Sequence, residues 1–159
     1  MNIYEGFFFD RGEQQFIGSL WRTIEHQHVT TEYKPSVAHP ELYGKEATFR
    51  IVGYGNEGEN EGFAVRLTHC DDPDIEDIYG KIPRPHITVS VSPTGQPVNT
   101  GKLRFHSFYG KEITLRFGAF NMETGEVDFG WYCSEPDKIH PGWGICDGWC
   151  EKCTYGKRR

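Results

Sequence analysis

At 159 residues, with 36% hydrophobic and 14% aromatic side chains, the chain is long enough for one domain with a real core and too short for two ordinary ones. Its 19 glycines and 9 prolines favour a turn-rich sheet protein over a helical bundle. A formal charge of -6 excludes the broad positive field that binds duplex nucleic acid, yet a few local donors suffice for a small anionic ligand.

In chain order, Ile3–Asp10 reads as a buried strand, and Phe16, Ile17, Leu20, Trp21 and Ile24 fall at helical spacing over 13–24. His28–Pro35 is a β-branched run closed by proline, hence a strand. Lys45–Tyr54 and Glu61–Leu67 follow as two strands joined by a Gly/Asn/Glu turn, then an acidic loop over 69–84 with room for one helical turn. His86–Ser92 alternates polar and apolar without a break and is the clearest strand of all. Gly101–Arg104 is a short strand or loop, and Ile113–Asn121 with Gly125–Gly130 form a hairpin. From Trp131 the composition turns to Trp, Cys, Gly and Lys, which divides the chain into a domain over 1–128 and an appendage over 129–159.

Met1–Gln15 lacks a basic segment followed by a long apolar one, and no apolar run approaches membrane-spanning length. The expected location is the cytoplasm, with five reduced or metal-bound cysteines in place of a disulfide framework.

One small theme occurs twice. His28-Val29-Thr30 and His86-Ile87-Thr88 each open a strand, and residues two apart in a strand share a face. An imidazole moves protons near neutral pH, and a neighbouring hydroxyl donates to a phosphate oxygen. Two such pairs facing each other supply a base, an acid and two phosphate holders. The bland alternative is a pair of histidines capping half-buried strands.

HVTTEY and PHITVSVS resemble the paired His-x-Thr/Ser signature of the 2H (LigT-like) phosphoesterases, and the order of elements over 3–128 is similar too. The resemblance implies an α+β, bilobal fold with two antiparallel sheets flanking a central cleft. It implies metal-independent phosphodiesterase chemistry on 2′,3′-cyclic phosphates, 2′-5′ linkages or cyclic oligonucleotides, with His28, Thr30, His86 and Thr88 catalytic. Family members include a phage anti-CBASS enzyme that degrades immune cyclic nucleotides, which puts the host cytoplasm in view, and others act in RNA end processing. The expected partner is a small nucleotide or cyclic oligonucleotide, with no duplex nucleic acid and no membrane. A module that only binds a nucleotide is the alternative of a different class.

Tyr4, Lys34, Arg84 and Ser90 are candidate substrate contacts: Tyr4 for stacking, as are Trp21 and Tyr43, the two cations for phosphate, and Ser90 because it shares the face of His86 and Thr88. Cys133, Cys146, Cys150 and Cys153 have spacing suited to a structural zinc, with packed reduced thiols as the alternative. No cofactor is expected for catalysis. Gly53-Tyr54-Gly55-Asn56-Glu57-Gly58 matches a dinucleotide fingerprint literally, but with carboxylates after it and no helix it reads as a hairpin turn.

Overall fold

A computed structural model describes residues 2–9 and 16–130 with their side chains, and beyond them only the backbone of four short strands. Cys133, Cys146, Cys150 and Cys153, with the zinc clamp expected of them, lie outside the described side chains. The strands follow one another in chain order. They are β1 (Ile3–Phe8), β2 (His28–Tyr33), β3 (Glu46–Gly55), β4 (Asn60–Cys70), β5 (His86–Val91), β6 (His106–Ser107), β7 (Glu112–Asn121) and β8 (Val127–Asp128). In β3, Ala47, Phe49 and Ile51 are buried while Thr48, Arg50 and Val52 are half-buried, which is the period of a pleated strand with one face on a core.

These eight strands make one antiparallel sheet in the order β6-β3-β4-β5-β2-β1-β7-β8. A further pairing, Glu46–Arg50 of β3 against Glu112–Arg116 of β7, closes six of them into a barrel. Closure removes the open edges that β3 and β7 would otherwise expose. The fold is thus mixed and dominated by strands, with few helices among the described residues.

The core holds Phe7, Val29, Phe49, Ile87, Leu115 and Phe117, all fully buried. The Phe7 ring meets Phe49 edge-on at 5.0 Å and Phe117 at 5.5 Å. Each such ring contributes about 1.5–3 kcal/mol relative to exposure.

Two local expectations are corrected. Residues 16–24, whose apolar spacing suggested a helix, run as bends with one bridge, Thr23 to Ser90. Gly18 lies where a Cβ would come within 2.7 Å of the Ser90 Cβ, and Ile17 and Leu20 are exposed at 83% and 47%, so the supposed apolar face is not buried as one. The acidic loop contains a helix, α1 (Pro73–Gly80), started by Asp72, whose carboxylate accepts from the Asp74 N–H at 2.9 Å, with Pro73 in the first turn. The hairpin turn between β3 and β4 is as expected. No helix among the described residues is long and apolar enough to cross a membrane.

Segment 16–24 is held by one buried carboxylate. Glu61, 2% exposed, accepts from the Ser19 N–H at 3.0 Å, from the Ser90 hydroxyl at 2.7 Å, and from the hydroxyls of Ser19 and Tyr54. Burial alone pushes its pKa up; these donors outweigh that and hold the carboxyl below its ordinary value of 4.5. A depressed carboxylate pKa stabilises the fold above the unfolded value, and that contribution drains away as pH falls through the folded one. Replacing Glu61 by Gln is expected to cost about 2 kcal/mol in urea unfolding at neutral pH. The gap from wild type should shrink as pH falls through the lowered pKa of the native carboxyl, where wild type loses its charge too.

Candidate active site

Val29 of β2 pairs with Ile87 of β5, and both side chains are fully buried in the core. Antiparallel register then sets His28 opposite Thr88 and Thr30 opposite His86, all four on the other face of the sheet. The histidines lie on a diagonal, where Cα separations are about 7–8 Å. The two motifs, 58 positions apart in sequence, thus share one patch. Mutual repulsion of the two imidazoles is felt at His28, consistent with that closeness.

Both rings are oriented in the same way. His28 Nδ1 bonds the His26 carbonyl at 2.6 Å, and His86 Nδ1 bonds the Arg84 carbonyl at 2.7 Å. A carbonyl only accepts, so each Nδ1 carries the proton and each Nε2 keeps its lone pair. His26 has φ 53°, a left-handed backbone that is uncommon for a residue with a Cβ, and its carbonyl is the one His28 uses.

The His28 ring stacks on Tyr4 at 4.8 Å and on Phe8 at 5.1 Å; Tyr4 in turn stacks on Phe120 at 5.0 Å. Burial among these rings is the main cause that lowers His28 from 6.5 to about 4. Burial also lowers His86, with the Arg84 guanidinium adding to it, while each backbone carbonyl works in the opposite direction. Burial pushes the Tyr4 hydroxyl up to about 12, so it remains a donor.

On the other flank the sheet is built from small residues. Gly53 and Ala64 continue the row of His86, and Gly55 and Gly62 the row of Thr88. A Cβ on Gly62 would lie 2.6 Å from the Ile87 carbonyl oxygen and 2.5 Å from Thr100; one on Gly53 would meet Phe105 at 3.0 Å. That low floor lets residues 97–105, including a 3-10 turn over Pro97–Lys102, lie across β3 and β4 and wall the site. Gly101 meets the edge of the His86 ring, where a Cβ would come within 3.1 Å of Cε1. Gly53 and Gly55 of the GYGNEG stretch thus make room for Phe105 and Leu103.

Of the candidate contacts, Tyr4 and Arg84 lie at the site. Arg84 donates to the Leu103 carbonyl at 2.6 Å and covers the Phe105 ring at 5.4 Å. Ser90 is fully buried and its hydroxyl is given to Glu61, so it anchors the site's rear in place of touching a ligand. Lys34 is six residues beyond His28, roughly 20 Å along an extended strand, and its ammonium lies over Tyr33, which removes it from the patch. Tyr43 is 5% exposed and donates to Glu5 at 2.8 Å, so it is not a stacking surface. Trp21 is half-buried. Reasoning from sequence missed Phe8, Phe120, Gly101 and the two carbonyls, and no local pattern marks them. Among the described residues no group of three or more His, Cys, Asp or Glu is placed to hold a metal.

No family model, curated protein or solved structure matches the chain.

The depressed His28 pKa has a direct check. Replacing Tyr4 by Ala removes half of the aromatic support and admits water, so the His28 imidazole should titrate above its native value of about 4, towards 6.5. An NMR titration of the ring protons reads this. An unchanged midpoint would show that Tyr4 does not shield the ring.

Proposed function

We propose that the chain is a phosphodiesterase of the 2H type, cleaving ribonucleotide phosphodiesters, with cyclic oligonucleotides and RNA 2′,3′-cyclic ends as its two substrate classes. The bilobal family fold implied by the resemblance is part of the same proposal. The observation that carries it is the crossed His/Thr arrangement with both Nδ1–H groups fixed and both Nε2 atoms left with lone pairs. A diagonal of about 7–8 Å between the histidine backbones leaves room for one phosphate between the rings. Thr30 and Thr88 each stand opposite a histidine; Thr30 is placed to donate to a non-bridging oxygen, and Thr88 does so on turning its hydroxyl from the Pro97 carbonyl, to which it donates at 3.4 Å.

In this mechanism a 2′,3′-cyclic end is opened by water, whereas for a 3′-5′ bond the Nε2 of His28 takes the proton of a ribose 2′-hydroxyl as O2′ bonds to phosphorus. The phosphorus–O5′ bond breaks, and His86 Nε2–H protonates the departing O5′. His28 is assigned the base because it is the more strongly held in its neutral form. The ribose itself places O2′ beside phosphorus, an intramolecular advantage worth several orders of magnitude in effective concentration. The proton transfers need no metal. For Cys133, Cys146, Cys150 and Cys153 the structural zinc stays a proposal resting on spacing alone.

Both imidazoles are lowered in the free protein, so near neutral pH both rings of the empty site are neutral and it lacks its acid. The active form has one ring protonated, and its population falls as pH rises above the lowered values. It falls again below about 4, where the base is lost as well. The expected kcat/KM profile is therefore a bell with its maximum on the acidic side of 6.5, declining about ten-fold per pH unit well above it. A kcat/KM that climbs between pH 7 and 8 contradicts this protonation scheme.

His28→Ala and His86→Ala are each expected to lower turnover of the true substrate by about 10²-fold or more while the thermal midpoint is kept. Near-native turnover by either variant would end the two-histidine reading. For a 3′-5′ bond, a 2′-deoxy analogue should bind and stay intact, while the ribose form gives a 2′,3′-cyclic phosphate. Rapid cleavage of the 2′-deoxy analogue would instead make water the nucleophile. Chromatography of a nucleotide panel incubated with the protein in chelator reads these outcomes.

A further inference from the structure

Residues 78–111 contain no Asp or Glu and five cations, Lys81, Arg84, Lys102, Arg104 and Lys111, in a chain whose formal charge is -6. His86 and Thr88 lie inside this acid-free stretch. Its cations are thus concentrated against the trend of the rest of the molecule, and the fold brings several of them along one path. Arg84, tied to Leu103 and stacked on Phe105, stands beside His86. Gly101 touches the His86 ring, and the exposed Lys102 and Arg104 follow it. β6 then pairs with β3 through His106 and Tyr54. Beyond it Phe108 and Tyr109 are exposed at 49% and 82%. The Arg50 guanidinium lies 4.5 Å from the Tyr109 ring, and Glu112, the nearest carboxylate in sequence, is bonded to Arg50 at 2.6 Å.

Cations interleaved with exposed aromatic rings suit a single strand, whose phosphates take the charges and whose bases stack on the rings. A free mononucleotide needs no such path. From Gly101 to Tyr109 the chain spans at most about 26 Å, the reach of a few nucleotides. We propose that the strip from Arg84 and Gly101 to Tyr109 binds the single strand of an RNA whose scissile phosphate occupies the histidine pair. This rests on the phosphodiesterase reading above and selects a linear RNA strand as substrate over a small cyclic one.

The test measures binding, not turnover, with a fluorescent eight-nucleotide 2′-O-methyl RNA that lacks an attacking hydroxyl, against a 2′-O-methyl dinucleotide. The octamer is expected to bind at least about ten-fold tighter, with affinity falling as salt rises. K102A/R104A, two exposed positions, should weaken the octamer about ten-fold and flatten the log–log salt slope by about 1.4, two phosphate contacts' worth. Tyr109→Ala should weaken it about five-fold or more through lost stacking. Equal affinity for octamer and dinucleotide overturns the proposal. So does inorganic polyphosphate competing as well as RNA while Tyr109→Ala has no effect, which would mark the strip as an anion surface only. Because the probe cannot be cleaved, these outcomes are separate from those of His28→Ala and His86→Ala: loss of the strip leaves the histidine chemistry standing, and the reverse also holds.

Discussion

Val29 and Ile87 face each other across β2 and β5 with no exposed surface, and the candidate site depends on that pair staying in register. A strand has a side-chain period of two, so a slip of one residue would put His28 and Thr30 into the core and Val29 into solvent. The cost of burying unpaired imidazole and hydroxyl groups while exposing valine fixes the register far more firmly than backbone pairing alone would. The same burial that secures Val29 and Ile87 therefore displays the His/Thr quartet on the opposite face. Packing and chemistry are two faces of one constraint.

Two buried carboxylates then fix what the core does not. Glu61 ties segment 16–24 to β5 behind Thr88, through Ser19 and Ser90. Glu5, fully buried in β1, accepts from the His39 N–H at 2.7 Å, the His39 ring at 2.8 Å and Tyr43 at 2.8 Å, which ties the segment after β2 to the barrel. A buried carboxylate without donors would cost several kcal/mol, so each one compels the segments around it to supply them. In this way polar groups fix loops that have little apolar surface to bury. Gln27 acts similarly, bonding the Phe16 backbone through its N–H and carbonyl from the position just before His28.

Much of the frame was legible because its signals are local. HITVSVS alternates without interruption, and β5 covers His86–Val91; HVTTEYKP carries β-branched residues and a closing proline, and β2 covers His28–Tyr33. The site quartet follows from those two strands once they are neighbours. That they are neighbours is not local information, nor is the closure of β3 on β7 across more than sixty residues of chain. The apolar spacing of Phe16, Leu20 and Ile24 misled because periodicity cannot register that Gly18 must fit under Ser90 or that the Ile24 N–H bonds the Val89 carbonyl. Ser90 misled for a related reason: sharing a face with His86 and Thr88 placed it correctly, but the covering segment that buries it is distant in sequence. Asp72-Pro73 was a readable helix start that the surrounding loop composition obscured.

The electrostatics of the site follow from its position on an aromatic shelf. Tyr4 and Phe8 support His28 and also exclude water from it, so the ring is favoured in its neutral form. Two protonated imidazoles on one diagonal would repel each other in a partly desolvated patch, and the fold avoids that state by depressing both. A phosphodiester carries one negative charge, and placing it between the rings reverses the balance: a proton entering with the substrate is stabilised by the anion and no longer opposed by burial alone. In the proposed mechanism the acid is thus created by the ligand that needs it. An acidic chain with a confined cationic stretch beside such a site favours anions that reach that stretch and repels them elsewhere, so selectivity can arise from where the charge lies more than from how much of it there is.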